Sequence, residues 1–311
     1  MRRFDSSHTH SHYQENVSAE RPGMTDDVFL QELIPLVQDR VPEGLKVVAK
    51  VQMKNNGTLR SGITLKKETG TGTFPFVYLE PFYPGRSEAL SMEAIADEVS
   101  RRLLCPPLFE PFKEGFPDAE KVLESVIFRL VNHSRNEEFL RMIVNRDFLD
   151  LSLLYGLYAE SPDGVSAVCF LKKETCRKLD ISEEELFRAA FRNSSRIFRE
   201  CLEGVHGLLD MDPEGEEWLY VLSNRQRMYG ASTLIYGNCL NTLAEEKGSD
   251  ILILPSSIHE LIVTPETGMD RRDLKALIKE VNDRNTPPED VLSDNAYIYR
   301  KDTGRIEIFT A

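Results

Sequence analysis

Apolar positions along the chain change period several times, and each change predicts an element. Phe29, Leu30, Leu33, Ile34 and Val37 recur at helical spacing behind Thr25, an N-cap residue, with Asp26 and Asp27 in the first turn. From about Leu45 the pattern alternates. Val47, Ala49, Val51 and Met53 share one face of a strand, and Asn55-Asn56-Gly57 suits a hairpin turn. Residues 59–65 return as a second strand, and after Gly70-Thr71-Gly72 residues 74–79 read as a third, completing a small antiparallel meander. A helix over Met92–Leu104 follows, capped by Ser91, with Ile95, Val99 and Leu103 as its apolar stripe. Residues 105–117, rich in Pro and Phe, predict an irregular hinge.

Farther on, residues 122–131 read equally as strand or helix. Residues 148–158 and 165–171 form a hairpin about Pro162-Asp163-Gly164. Ser182 with Glu185 is a capping box opening a helix to about Phe198. Residues 218–222 predict a strand, and residues 231–247 a helix closed by Gly248. Ile251–Leu254 is a continuous apolar run, hence a buried strand, with a further strand at residues 260–263. Asp270 caps a helix through Leu274, Leu277, Ile278 and Val281, and residues 297–299 and 306–309 close the chain as a hairpin. Strands in hairpins with helices interspersed, without strict βαβ alternation, predict an α+β fold. The organisation read from this is a disordered tail at 1–23, an N-terminal β-meander with flanking helices at 24–104, and a main α+β domain at 118–311. The tail is polar and holds His8, His10 and His12, and Met24 is the expected true start.

Composition narrows the function classes. The 311 residues carry a formal net charge of −13 with 41% hydrophobic residues, which excludes wholesale disorder and disfavours nucleic acid and anionic membranes as partners. Cys105, Cys169, Cys176, Cys201 and Cys239 contain no C-x-x-C pair, so reduced thiols in a cytoplasmic protein are expected, with no metal site and no cofactor. No apolar run approaches the ~20 residues that span a bilayer.

Two segments carry candidate chemistry. Residues 249–260 gather Ser, His and carboxylates at the end of a buried strand. A hydrolase reading makes Ser256 or Ser257 the nucleophile, His259 the base, and Asp250 or Glu260 its orienter. Against it, neighbours on a strand point to opposite faces, and there is no G-x-S-x-G elbow. The bland reading gives the serines to loop amides and His259 to a structural bond. The second segment is the helix after Ser182, where Arg188, Arg192, Arg196 and Arg199 line one face. That stripe suits a phosphorylated ligand or an acidic partner surface, but a solvated face of Glu184–Arg188 and Arg196–Glu200 ion pairs is the favoured reading. His133 has no second ligand at metal spacing, and Tyr220, Tyr229 and Tyr236 read as packing or as the lining of a pocket.

The strings Tyr220-Val221-Leu222-Ser223-Asn224, Gly230-Ala231-Ser232, Gly248-Ser249-Asp250, Leu254-Pro255-Ser256-Ser257-Ile258-His259-Glu260 and Leu292-Ser293-Asp294, with Tyr297 and Tyr299, form a recognisable block. Together with Asn55-Asn56-Gly57, Tyr78-Leu79 and Phe148-Leu149-Asp150-Leu151, they resemble an uncharacterised domain-of-unknown-function family of anaerobic Gram-positive bacteria, over residues 24–309. The resemblance implies a bacterial cytoplasmic setting and no particular reaction. The favoured expectation is a non-catalytic protein that binds a partner protein or small ligand. A hydrolase at the Pro-Ser-Ser-Ile-His-Glu turn and an anion or nucleic-acid binder using the arginine face are the alternatives.

Overall fold

Periodicity becomes structure most directly in α1 (Asp27–Gln38), which buries Phe29, Leu33 and Val37 along one stripe. The computed structural model describes residues 10–13, 27–69, 74, 76–83, 90–104, 118–160, 166–205, 218–266, 268 and 270–310. In chain order the strands begin with β1 (His10–Tyr13), β2 (Leu45–Met53), β3 (Leu59–Lys67) and β4 (Phe76–Tyr78), followed by α2 (Met92–Leu104) and α3 (Ala119–Ser125). Next come β5 (Val126–Asn132), α4 (Glu137–Met142), β6 (Asn145–Phe148), β7 (Leu151–Glu160), β8 (Ser166–Phe170), α5 (Lys173–Lys178) and α6 (Glu183–Ile197). The rest is β9 (Glu200–Gly204), β10 (Tyr220–Asn224), α7 (Thr233–Tyr236), α8 (Cys239–Lys247), β11 (Ile251–Leu254), β12 (Leu261–Pro265), α9 (Arg271–Asn285), β13 (Tyr297–Arg300) and β14 (Arg305–Ile308). The fold class is α+β.

The chain divides into two units. The first comprises Met1–Lys54, Thr58–Asp118 and Leu157–Phe170; the second comprises Asn55–Gly57, Ala119–Gly156 and Leu171–Ala311. In the first unit β2, β3 and β4 form the expected antiparallel meander, with Val47 opposite Leu65 and Ile63 opposite Val77. One core joins it to both helices: Leu33 and Val37 of α1, Ile63 and Val77 of the sheet, and Ile95, Val99 and Leu103 of α2 are all buried. Ser91 accepts the Ala94 amide at 3.2 Å, the predicted cap of α2. Within the stretch read as a tail, His10–Tyr13 runs parallel to β8.

The second unit is built on a six-stranded antiparallel sheet of order β14-β13-β11-β12-β10-β9. The predicted closing hairpin is here as β13 and β14, and Ile251, Leu252 and Ile253 are buried as their unbroken apolar run requires. β5 is buried at all seven positions and pairs with β7. Its other edge is covered by side chains. The Ser194 hydroxyl of α6 accepts the Phe128 amide at 3.0 Å, and Ser232 accepts the Leu130 amide at 3.1 Å. Asn193 donates to the Leu123 and Val126 carbonyls, both at 2.9 Å, so α6 is stitched to β5 as well as packed on it. The Ser182–Glu185 capping box is present with both reciprocal bonds, and Asp270 caps α9 through the Arg272 amide at 2.8 Å.

Three readings are refined by the structure. Residues 122–131 are both alternatives in turn, the end of α3 followed by β5. The helix predicted over 231–247 breaks into a 3₁₀ turn at Gly230–Ser232, then α7 and α8, before Gly248 ends it in the left-handed conformation. The break has an evident cause. The Glu200 carboxylate takes the Asn238 and Cys239 amides at 2.8 and 2.9 Å, capping α8 from a neighbouring strand. In α9, Leu274 and Ile278 are buried as predicted, but Leu277 and Val281 are exposed. The expectations placed on Thr25, Gly70–Gly72, residues 105–117, residues 162–164, His8 and Cys105 lie outside the described residues.

Candidate functional site

A two-residue hairpin turn sets up the polar cleft of the second unit. Phe148 pairs with Leu151, leaving Leu149 and Asp150 as the whole connection between β6 and β7. Leu149 adopts φ 57°, a left-handed conformation that a bulky residue rarely takes, and its side chain is 41% exposed. The turn is pinned by its neighbour. The Asp150 carboxylate accepts the Ser293 hydroxyl at 2.6 Å, the Tyr297 hydroxyl at 2.8 Å and the Asn295 amide at 3.1 Å, while its carbonyl accepts the His133 amide at 3.1 Å. Tyr297 is fully buried, and burial with the Asp150 carboxylate beside it holds its hydroxyl protonated well above the ordinary tyrosine range. Backbone strain offset by several side-chain bonds is what positions a group for a task.

Around this turn lies a cleft of about 560 Å³ lined by Asn132, His133, Ser134, Arg135, Asp147, Leu149, Asp150, Lys275, Asp294 and Asn295. Each wall is fixed. His133 Nδ1 lies 2.8 Å from the Ser152 hydroxyl and 3.5 Å from the Asp147 carboxylate. Arg135 donates to Asp294 at 2.8 Å, and the other Asp294 oxygen accepts the buried Asn282 amide at 2.9 Å. Asn132 orders the start of the helical turn behind β5 by accepting the Ser134 hydroxyl and the Arg135 amide, both at 3.0 Å. The side-chain oxygen of Asn295 is buried without a protein hydrogen-bond partner.

The predicted Ser-His segment is placed differently. The Ser257 hydroxyl accepts the His259 and Glu260 amides at 3.0 and 3.2 Å, the geometry of a serine turn. His259 Nδ1 accepts the Tyr229 amide at 3.3 Å, its Nε2 lies 3.5 Å from Asp290, and the ring stacks on Tyr229. Thr286 donates to the Ser256 carbonyl at 3.2 Å. Glu260 pairs with Arg227 at 3.3 Å. Asp250 sits at the opposite end of the four-residue β11, roughly 13 Å along the strand. There it takes Arg300 at 2.8 Å and the Lys301 amide at 2.9 Å. The structure therefore brings His259 and Ser257 together through backbone, and leaves Asp250 with the closing hairpin. Tyr229 is buried and Tyr236 donates to the Phe198 carbonyl at 3.0 Å, which is packing rather than pocket lining.

Asp250 gives a pH prediction. The Arg300 bond, then the Lys301 amide, lower its pKa below the ordinary 3.8. A carboxylate with a depressed folded pKa contributes stability that is present above the unfolded value and is lost as pH falls through the folded one. Asp250→Asn should therefore flatten the stability profile below about pH 4 and leave its slope above pH 5 unchanged. Urea midpoints across that range measure it, and an unchanged acid limb would reject the assignment.

Of the arginine face, Arg188 pairs with Glu184 at 3.2 Å as the bland reading requires. Arg196 does not pair with Glu200, whose carboxylate is committed to α8. Burial raises the Cys176 thiol to about 11, and partial burial beside Glu200 raises Cys239 to about 12. Among the described residues there is no cluster of three or more His, Cys, Asp or Glu placed to hold a metal. No helix among them is long and apolar enough to cross a membrane.

Sequence reasoning weighed His133 only as a metal ligand. Asp150, Ser293, Asp294 and Tyr297 carry the resemblance, and Tyr297 opens the closing hairpin, but the sequence marks none of them as functional. No curated protein and no solved structure matches the chain. A family model described as a family of unknown function, DUF5688, matches residues 27–301, most of the 311. The chain belongs to that family, DUF5688.

Proposed function

We propose that the second unit is a binding module whose cleft takes a small polar molecule carrying both charges, such as an amino acid or a related zwitterion. One observation carries this reading: the same cleft presents Asp147, Asp150 and Asp294 together with His133, Arg135 and Lys275. A wholly anionic ligand would meet three carboxylates, and a wholly cationic one two or three cations. A zwitterion is complementary to both. Lys275 is exposed and Asp147 is largely so, which leaves them free to reach a ligand, while Asp150, Asn295 and Asp294 are already held in place and need no reordering on binding. The buried Asn295 oxygen offers an acceptor to an ammonium or amide donor.

Titration calorimetry with free amino acids, dicarboxylates and diamines tests the reading. Zwitterions are expected to bind, and Lys275→Ala and Asp147→Asn are each expected to weaken them about tenfold, or ~1.4 kcal/mol. Both substitutions lie on the rim, so folding should be unaffected. If none of the zwitterions binds, or if binding survives both substitutions unchanged, the cleft is not the site.

A further inference from the structure

Four arginines of the second unit lie together without the carboxylate pairing that several of its other arginines show. Arg192, Arg196, Arg199 and Arg225 are all exposed, and among the described residues none of their guanidinium groups has a carboxylate or hydrogen-bond partner. By contrast Arg146, Arg188, Arg227 and Arg300 each bond at least one carboxylate. The four are also contiguous. Arg192 and Arg196 are one turn apart on α6, and Arg199 follows its end. The Arg225 amide donates to the Arg199 carbonyl at 3.0 Å, extending the β9–β10 ladder in which Asn224 faces Glu200. Arg225 thus sits opposite Arg199, a like-charge cross-strand pair that opposes folding unless an anion covers it.

We propose that Arg192, Arg196, Arg199 and Arg225 form a docking surface for an acidic segment of a partner protein. Its chemistry fits that occupant. Guanidinium forks bind carboxylates bidentately, and all four residues are arginine rather than lysine. Arg192 to Arg199 spans about 10 Å, room for two or three carboxylates of a short segment. Phe191, next to Arg192 in the chain and 40% exposed, offers an apolar contact at the flank of the arginine row that an acidic segment with one large apolar residue would use. A nucleic acid is the poorer occupant. A chain of net charge −13 repels a long polyanion wherever it leaves the patch, whereas a short segment stays within a Debye length of it.

Fluorescence anisotropy at low salt with two labelled probes provides the test: a glutamate-rich peptide containing one leucine, and a single-stranded oligothymidine of equal charge. The peptide is expected to bind, to be released by added salt, and to lose at least ~10-fold in affinity when all four arginines are replaced by Gln. Arg188→Gln, at the arginine already paired with Glu184, should change little. Circular dichroism of the quadruple variant checks that these exposed substitutions leave the fold intact. The proposal is overturned by an oligonucleotide that binds tighter than the peptide, by a quadruple variant that binds the peptide as well as the parent does, or by a peptide that does not bind.

Discussion

Replacing Gly230 by alanine should destabilise the second unit by about 3 kcal/mol or more, the upper range for overpacking a core. The reason is geometric. A Cβ at this position would lie 2.1 Å from the Ser223 hydroxyl and 2.2 Å from the His259 carbonyl. Those two atoms are hydrogen-bonded to each other at 2.7 Å across the glycine, so the methyl would enter an existing bond. Neither neighbour can yield cheaply. Ser223 is 1% exposed within β10, and the His259 backbone is held by the Ser257 hydroxyl. Movement would have to come from the 3₁₀ turn itself. That would pull Ala231 off the Ile258 carbonyl at 3.2 Å and Ser232 off the β5 edge. Thermal unfolding followed by circular dichroism should show a fall in Tm of about 6–12 °C. A change of under about 1 °C would mean that the turn relaxes freely, and would remove the case for a tightly packed role of the His259 segment.

The same contact explains what the sequence could reveal and what it could not. Local signals translated well. Ser182 with Glu185, Asp270, Ser91 and the paired strands β2 and β3 each follow from signals within a few residues, and each was read correctly from the pattern. The uniform helix expected over 231–247 failed because Glu200, a residue from another strand, supplies a better cap at Asn238 and Cys239 than helix continuation does. A side chain at Gly237 would meet that carboxylate at 2.3 Å, so the break is tertiary in origin. The candidate sites divide in the same way. The run around Ser257 and His259 looked chemical because reactive residue types lie side by side, yet neighbours in a loop first satisfy one another's backbone. The cleft is assembled from residues 132–150 and 275–297, whose pairing no periodicity announces. Its one local clue is Leu149-Asp150, a two-residue link between apolar stretches that lacks the glycine or asparagine such turns favour.

That turn yields the remaining large effect. Asp150→Leu should destabilise the second unit by roughly 3 kcal/mol, while Asp150→Asn should cost about half as much. In the parent, one carboxylate accepts two hydroxyls and an amide, and bonds to a charged acceptor are worth more than neutral ones. Leucine removes the acceptor and strands the Tyr297 hydroxyl, on a fully buried side chain, together with Ser293, whose side chain is equally inaccessible. Asparagine keeps one oxygen, enough for one or two of the three donors, but turns an NH₂ toward groups that are themselves donating. The left-handed Leu149 backbone would also lose its anchor, so the β6–β7 turn should loosen in both variants. Tyr297→Phe separates the contributions. It deletes one donor without orphaning the carboxylate, and should cost only about 1 kcal/mol. Urea unfolding of the three variants gives the ranking directly. If Asp150→Leu were no more destabilising than Tyr297→Phe, Asp150 would not organise the cleft, and any ligand effect of its replacement would have to arise from direct contact. If the predicted order holds, Asp150→Asn should also weaken a cleft ligand more than its stability loss explains, because the walls it positions would no longer be held before binding.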